Sequence, residues 1–245
     1  MFSILKKELW AYFGTLGAYI VAVAYILISS LFLWFFDSKF DTFNIFNVGL
    51  ASLNNFFVLS PWLFIFLIPA LSMKSIAEEE QTGTLVWLFS KPLSIESIIA
   101  GKFLAISILV IFTLFPTLIY VFTIYNISMP EGNIDLGAIY SGYVGLIFLS
   151  TAFISIGIFA SSLVKNQVLS YIVGVFLCFF CFYGFENLAS YNLLGNYDYW
   201  LQRMGFYQHY TSFTKGIIDT RDIGYFLFIT TLFVFASIQL VKLKK

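Results

Sequence analysis

Residues 13–36 read FGTLGAYIVAVAYILISSLFLWFF and carry no charged side chain. A helix needs about 20 consecutive apolar residues to cross the hydrocarbon core of a bilayer, and this run is long enough. It follows Lys6 and Lys7 and holds Ala22-Val23-Ala24, which has the look of a signal-peptidase site. The apolar run continues to Phe36, however, where a secretory leader would turn polar. The reading is therefore an uncleaved anchor. Five further stretches of this kind follow, at 54–73, 103–125, 139–163, 167–186 and 223–241.

Composition points the same way. The 245 residues are 60% hydrophobic and 11% charged, with 31 phenylalanines, and the mean hydropathy is +0.90. Soluble chains carry about 25% charged residues, so this one cannot clothe a water-facing surface. A disordered chain, a cytosolic enzyme and a secreted disulfide scaffold are excluded. Thirteen Lys+Arg balance thirteen Asp+Glu, which leaves no electrostatic attraction to nucleic acid. The expected fold is an all-α polytopic membrane protein. It has six transmembrane helices in a single domain over 1–245, an N-terminal interfacial helix and a short cytoplasmic helix between spans two and three.

Orientation follows from the distribution of Lys and Arg. With the N-terminus in the cytoplasm, Lys6, Lys7, Lys74, Lys91, Lys102, Lys165, Lys242, Lys244 and Lys245 lie inside, and Lys39, Arg203, Lys215 and Arg221 lie outside. The bias favours cytoplasmic N- and C-termini. In MFSILKKELWAYF, Phe2, Leu5 and Leu9 share one helical face, and Trp10 and Tyr12 favour the headgroup layer. This segment reads as an interfacial helix or, more plainly, as a short basic anchor. Pro61, Pro69 and Pro116 fall inside spans two and three. Each removes a backbone hydrogen bond, so kinks are expected there. Kinks suit helices that line a pathway or move, and they also occur in inert bundles. The small residues of span four, Gly142, Gly145, Ser150, Ser155, Gly157, Ala160 and Ser161, suit close helix packing.

Two connections are long. The inner one, 74–102, reads KSIAEEEQTGTLVWLFSKPLSIESIIAGK. Residues 75–81 can extend as helix from span two, and Thr82-Gly83-Thr84 then breaks it. Leu85, Leu88 and Phe89 give a small apolar face that Lys91-Pro92 ends, and Ser94 with Ser97 supplies helix-start chemistry for span three. The implied object is a short amphipathic helix with an acidic approach through Glu78, Glu79 and Glu80. It reads either as a docking knob for a cytosolic partner or as a solvated helix end. The outer connection, 187–222, is rich in tyrosine and holds Trp200 and the single histidine, His209. Its composition suits the headgroup layer, with a gate or exit element as the alternative. No second ligand stands at metal spacing from His209, so it reads as a hydrogen-bonded or interfacial residue.

Catalytic patterns are absent. There is no HExxH and no GxSxG, and Gly101-Lys102 lacks the flanking residues of a phosphate-cradling loop. The spans hold almost no ionisable residue of the kind an intramembrane enzyme or ion-coupled pump would keep. Cys178 and Cys181 lie in FLCFFCF and read as apolar packing residues. No enzyme activity, metal or cofactor is expected in this chain.

The stretch AEEEQTGTLVWLFSKPLSIESIIAGKF resembles the signature of type-2 ABC exporter permeases: an acidic pair, Thr-Gly-Thr-Leu, an apolar run, Pro, Ser, then Gly-Lys opening span three. ASSLVKNQ at 160–167 resembles the family's turn between spans four and five, and KGIIDTRDIGYF its approach to span six. The resemblance runs over nearly the whole chain. Within the family, the compact size, the abundance of phenylalanine and the long aromatic loop are similar to permease subunits associated with gliding motility. It implies an inner-membrane half-transporter pairing with a second permease chain, homo- or heteromeric, and with cytosolic ABC ATPase subunits that carry ATP and Mg. It also makes the 74–102 link the coupling element. Glu79, Glu80, Gly83 and Thr84 match the motif, with Pro92 and Lys102 downstream, and Glu78, Leu85 and Leu88 complete the knob. The chain departs from the family pattern at Gln81, often basic, and at Val86, usually acidic. The expected function is a permease subunit that couples hydrolysis by a partner to export. The alternative is a non-transporting anchor or force-transmission platform of an envelope machine.

Overall fold

The computed structural model describes residues 2–36, 44–48, 52–90, 94–191, 195 and 198–244, with no strand among them. Helix α1 (Phe2–Gly14) leads into α2 (Leu16–Ser30), which a π-turn at Leu31–Phe35 completes as span one. A short α3 (Ile45–Val48) precedes α4 (Asn54–Ser72), the body of span two. The link holds α5 (Ala77–Gln81) and α6 (Thr84–Phe89). Span three is α7 (Ile95–Leu114), a 3-10 turn at Phe115–Thr117 and α8 (Leu118–Ile127); span four is α9 (Leu136–Leu163). Span five joins α10 (Gln167–Phe179), a π-turn at Phe180–Gly184 and α11 (Phe185–Ser190). Two outer helices, α12 (Asp198–Arg203) and α13 (Phe206–Thr214), precede span six, α14 (Thr220–Leu243). All six spans are long and apolar enough to cross a membrane, and the chain is a multi-pass membrane protein.

Span four is the axis. Helices α4, α10, α13 and α14 pack around α9, and its small residues are the reason they can approach. A Cβ on Gly142 would lie 2.5 Å from the Phe57 ring, and one on Gly145 would lie 2.6 Å from Phe213 Cβ. One on Gly157 would overlap Ser72 Oγ. In lipid, helices associate through such close packing rather than through expulsion of water. Spans two, three and four are mostly buried, whereas only 22% of spans one, five and six is buried.

The prolines behave unequally. Pro116 interrupts span three as the 3-10 turn, whereas Pro61 and Pro69 sit inside a continuous α4. Pro61 lacks the N–H that would reach Phe57 O. That carbonyl instead accepts the Tyr210 hydroxyl of α13 at 2.7 Å. The outer connection therefore does more than lie in the headgroup layer. Phe206, Tyr210 and Phe213 are buried among the spans, and Ser141 on α9 donates to Phe213 O at 2.6 Å. A tyrosine-rich composition cannot distinguish an interfacial segment from one tucked into the bundle.

Two features differ from the sequence reading. The helix does not run on from span two through 75–81: a turn at residues 73–76 breaks it. Span three begins at Ile95, not at 103, because the Ser94 side chain accepts the Ser97 N–H and starts the helix there. Lys39, Lys91 and Pro92 lie outside the described residues.

Replacing Gly145 by leucine is expected to destabilise the bundle by about 1–3 kcal/mol through overpacking, seen as a lower unfolding temperature in detergent. Gly224→Ala, where a Cβ meets nothing within 4 Å, is expected to leave it unchanged.

Candidate functional site

The 74–102 link, α1 and the C-terminus converge on one end of the bundle, and ion pairs bind them together. Lys102, one turn into the apolar part of α7, is 3% exposed. Its ammonium donates to Glu79 Oε1 of α5 at 2.9 Å and to Glu8 Oε1 of α1 at 3.1 Å. A buried ammonium is costly unless paired, and two carboxylates from two different elements supply the pairing. The triad alone carries a net negative charge. Lys7 and Lys74 line the same 490 Å³ cavity together with Glu78, which restores local balance.

Helix α1 is seated by a neighbouring glycine. Ile4 packs on Gly101, where a Cβ would lie 3.0 Å from Ile4 Cγ2. Of the face anticipated for interfacial contact, Phe2 is exposed and Leu5 and Leu9 are half-buried, while Trp10 is exposed. The buried contact is made by Ile4, Glu8 and Tyr12, one helical turn apart. Tyr12 donates to Leu71 O at 3.1 Å, a carbonyl at the frayed end of span two. Burial first, and then the charges of Glu8, Glu78 and Glu79, push the Tyr12 phenol upward, so it remains a donor.

The break at 73–76 is closed by span four. Ser161 Oγ accepts the N–H groups of Ile76 at 3.0 Å and Ala77 at 2.9 Å, and donates to Met73 O at 3.1 Å. One hydroxyl thus satisfies both sides of the helix break, and it belongs to the ASSLVKNQ stretch. Ser75 Oγ and Glu79 Oε2 are buried without a hydrogen-bond partner among the described residues.

The three consecutive glutamates have separate surroundings. Glu79 faces Lys102. Glu80 pairs with Lys244 at 2.5 Å and with Lys165 at 3.7 Å, and its side chain is only 12% exposed. Glu78 lines the cavity. Glu79 and Glu80 are thus engaged within the chain, unlike a solvated helix end. Glu96 meets Lys242 at 3.0 Å on a more open surface.

Beyond α5 the chain turns through Thr82 and Gly83, the latter at φ +71°, a conformation that favours glycine. Thr82 Oγ1 donates to Glu78 O at 2.7 Å and shares a 2.9 Å bond with Thr84 Oγ1. The tip is open: Gln81, Thr82, Gly83 and Thr84 are exposed, and so is Trp87, at 78%. Leu85 is buried beneath it. The Val86 and Leu88 side chains and all of Pro92 lie outside the described residues. The link is therefore a projecting tip on a locked base. Lys102 and Glu8, the centre of that base, were missed as a pair by reading the sequence. Their signal was a lone lysine just inside an apolar helix and a lone glutamate in a basic leader, 94 residues apart.

Lys102→Met would leave two buried carboxylates without their cation and is expected to cost about 3–5 kcal/mol. Adding Glu8→Gln and Glu79→Gln should recover most of it. Lys242→Met, at a pair exposed on both sides, should cost about 0–1 kcal/mol. Thermal unfolding in detergent measures all three.

The chain is similar to a known protein family. The profile described as ABC-2 family transporter protein matches residues 35–215, a region that takes in the link, span four and both outer helices. No curated protein sequence matches the chain. With a match over nearly three quarters of its length, the chain belongs to the ABC-2 family of transporter proteins.

Proposed function

We propose that this chain is the membrane subunit of an ATP-driven exporter, in which a separate cytosolic ABC ATPase grips the tip at 81–90. One observation carries the reading: the tip is exposed while its base is bonded to five other parts of the bundle. Glu79 links it to span three and to α1, Glu80 to the C-terminus and the turn after span four, and Ser161 to span four itself. A load applied at Thr82–Trp87 reaches those elements through short, partly buried contacts. A ligand shifts a two-state equilibrium only by its differential affinity for the states, so the tip contacts must differ as the ATPase closes and opens. Glu79 and Glu80 then transmit, while the exposed residues around Gly83 and Trp87 dock.

Orientation follows from the same end. It holds both described termini and most of the lysines, which favours its placement in the cytoplasm, in the inner membrane. ATP and Mg belong to the ATPase, and a second permease chain completes the translocation path. Service in a gliding-motility machine extends the likeness read in the compact size, the phenylalanine content and the outer loop.

The test is co-purification of the tagged chain with its ATPase and measurement of hydrolysis by the complex. Gly83→Val forces a β-branched residue into the positive-φ region, a strain of about 1–3 kcal/mol. The expected outcome is normal membrane insertion with ATP hydrolysis uncoupled from the chain's function. Trp87→Ala should weaken retention of the ATPase. Full coupling in Gly83→Val together with full retention in Trp87→Ala would refute the docking role.

A further inference from the structure

At the opposite end of the bundle, α12, α13 and the start of α14 enclose a polar pocket of 340 Å³, within the range of small-ligand sites, roughly 300–1,000 Å³. Its charges are unevenly committed. Asp222 is taken by His209, whose Nδ1 lies 2.6 Å from Asp222 Oδ1, while His209 Nε2 lies 2.9 Å from Arg203 O. The imidazole is held flat against the Tyr225 ring at 3.9 Å. Asp219 spends one oxygen on the Arg221 N–H at 2.9 Å as the cap of α14. The guanidiniums of Arg203 and Arg221 have no carboxylate within ion-pair distance among the described residues. Arg203 is steadied over the Tyr199 ring at 4.5 Å. On the same wall, Gln208 Oε1 is buried and has no hydrogen-bond donor among the described residues.

Two free guanidiniums call for an oxyanion, and an orphaned amide oxygen beside a half-used carboxylate calls for an N–H donor. The ligand therefore carries both charges. The setting supplies its source. Ile217 of the pocket lining, Ile218 beside it in the chain, and Tyr199 and Trp200 on the same helix as Arg203 are all more than half exposed, and aromatic residues with apolar neighbours of this kind sit at the headgroup layer. We propose that this pocket binds a phosphate diester bearing a primary ammonium, the headgroup of phosphatidylethanolamine in the adjoining leaflet. The phosphate bridges Arg203 and Arg221, and the ammonium donates to Asp219 and, with the Gln208 amide turned into the pocket, to Gln208 Oε1. The site ties the outer helices to the lipid around them and is independent of ATPase docking.

The test is native mass spectrometry of the purified full chain, offered equal amounts of phosphatidylethanolamine, phosphatidylglycerol and phosphatidylcholine, with inorganic phosphate in a separate arm. The expected result is preferential retention of phosphatidylethanolamine. Arg203→Gln/Arg221→Gln should reduce it about tenfold, while Lys215→Gln, outside the pocket, retains it. Gln208→Leu combined with Asp219→Asn, which keeps the cap of α14, should lower phosphatidylethanolamine to the level of phosphatidylglycerol, since both ammonium contacts are then lost. Equal retention of all three lipids in the wild type would overturn the ammonium site. Equal competition by inorganic phosphate would overturn the lipid as its source. Undiminished binding by the double arginine variant, eluting as a folded monodisperse protein, would overturn the site altogether.

Discussion

A single ammonium, that of Lys102, sets the geometry of one whole end of this protein. Lysine is tolerated in an apolar environment only when its charge is matched, and here the matching carboxylates come from α1 and α5. Neither element can slide along α7 without stranding a charge. The N-terminal helix, the link and span three are thus joined at one buried point. Glu80, Lys244 and Lys165 extend the join to the C-terminus and the turn after span four. What would otherwise be a loose interfacial helix and a flexible link becomes one block with a projecting tip.

The second constraint is that lipid offers no water to a broken helix. Several interruptions among the spans are met by a hydroxyl from elsewhere. Ser161 closes the turn at 73–76, and Tyr12 takes the carbonyl of Leu71. Tyr210 takes the carbonyl that Pro61 releases. Tyr120 bonds Ser29 and Ser30 just before the π-turn of span one. These hydroxyls tie distant segments together, and each can be exchanged for another partner at small cost, about 0.5–1.5 kcal/mol for a neutral hydrogen bond. A bundle with its breaks satisfied in this way can re-pack without leaving a polar group bare. That property suits the proposed exporter better than a rigid anchor.

The two ends of the bundle are built on different chemistry. One end is locked by ion pairs and presents an exposed tip. The other buries α13 among aromatic rings, with Phe206 and Phe213 both against Phe226, and keeps its charges around a polar pocket. Burial pushes the Tyr210 phenol well up, so its bond to Phe57 O persists as a donor contact. Helix α4 runs from this hydrogen bond to the link, so an unbroken series of contacts joins the two ends of the bundle.

The sequence by itself determined the membrane class, the number of spans and their approximate positions, because twenty apolar residues in a row have one stable solution in a bilayer. It also located the link, its break at Gly83 and the helix start at Ser94, since those are local backbone preferences that need no partner. Small residues along span four announced the axis for a similar reason, as the lack of a side chain is visible in one dimension. The tertiary structure decided what the charges do. Nothing local in Glu78-Glu79-Glu80 says that the second faces a buried lysine and the third a C-terminal one. That assignment depends on which helices lie side by side. The same holds for Ser161 and Tyr210, whose partners lie 85 and 153 residues away. Long-range pairing of polar groups is fixed by the packing that surrounds them, and packing is a property of the whole bundle.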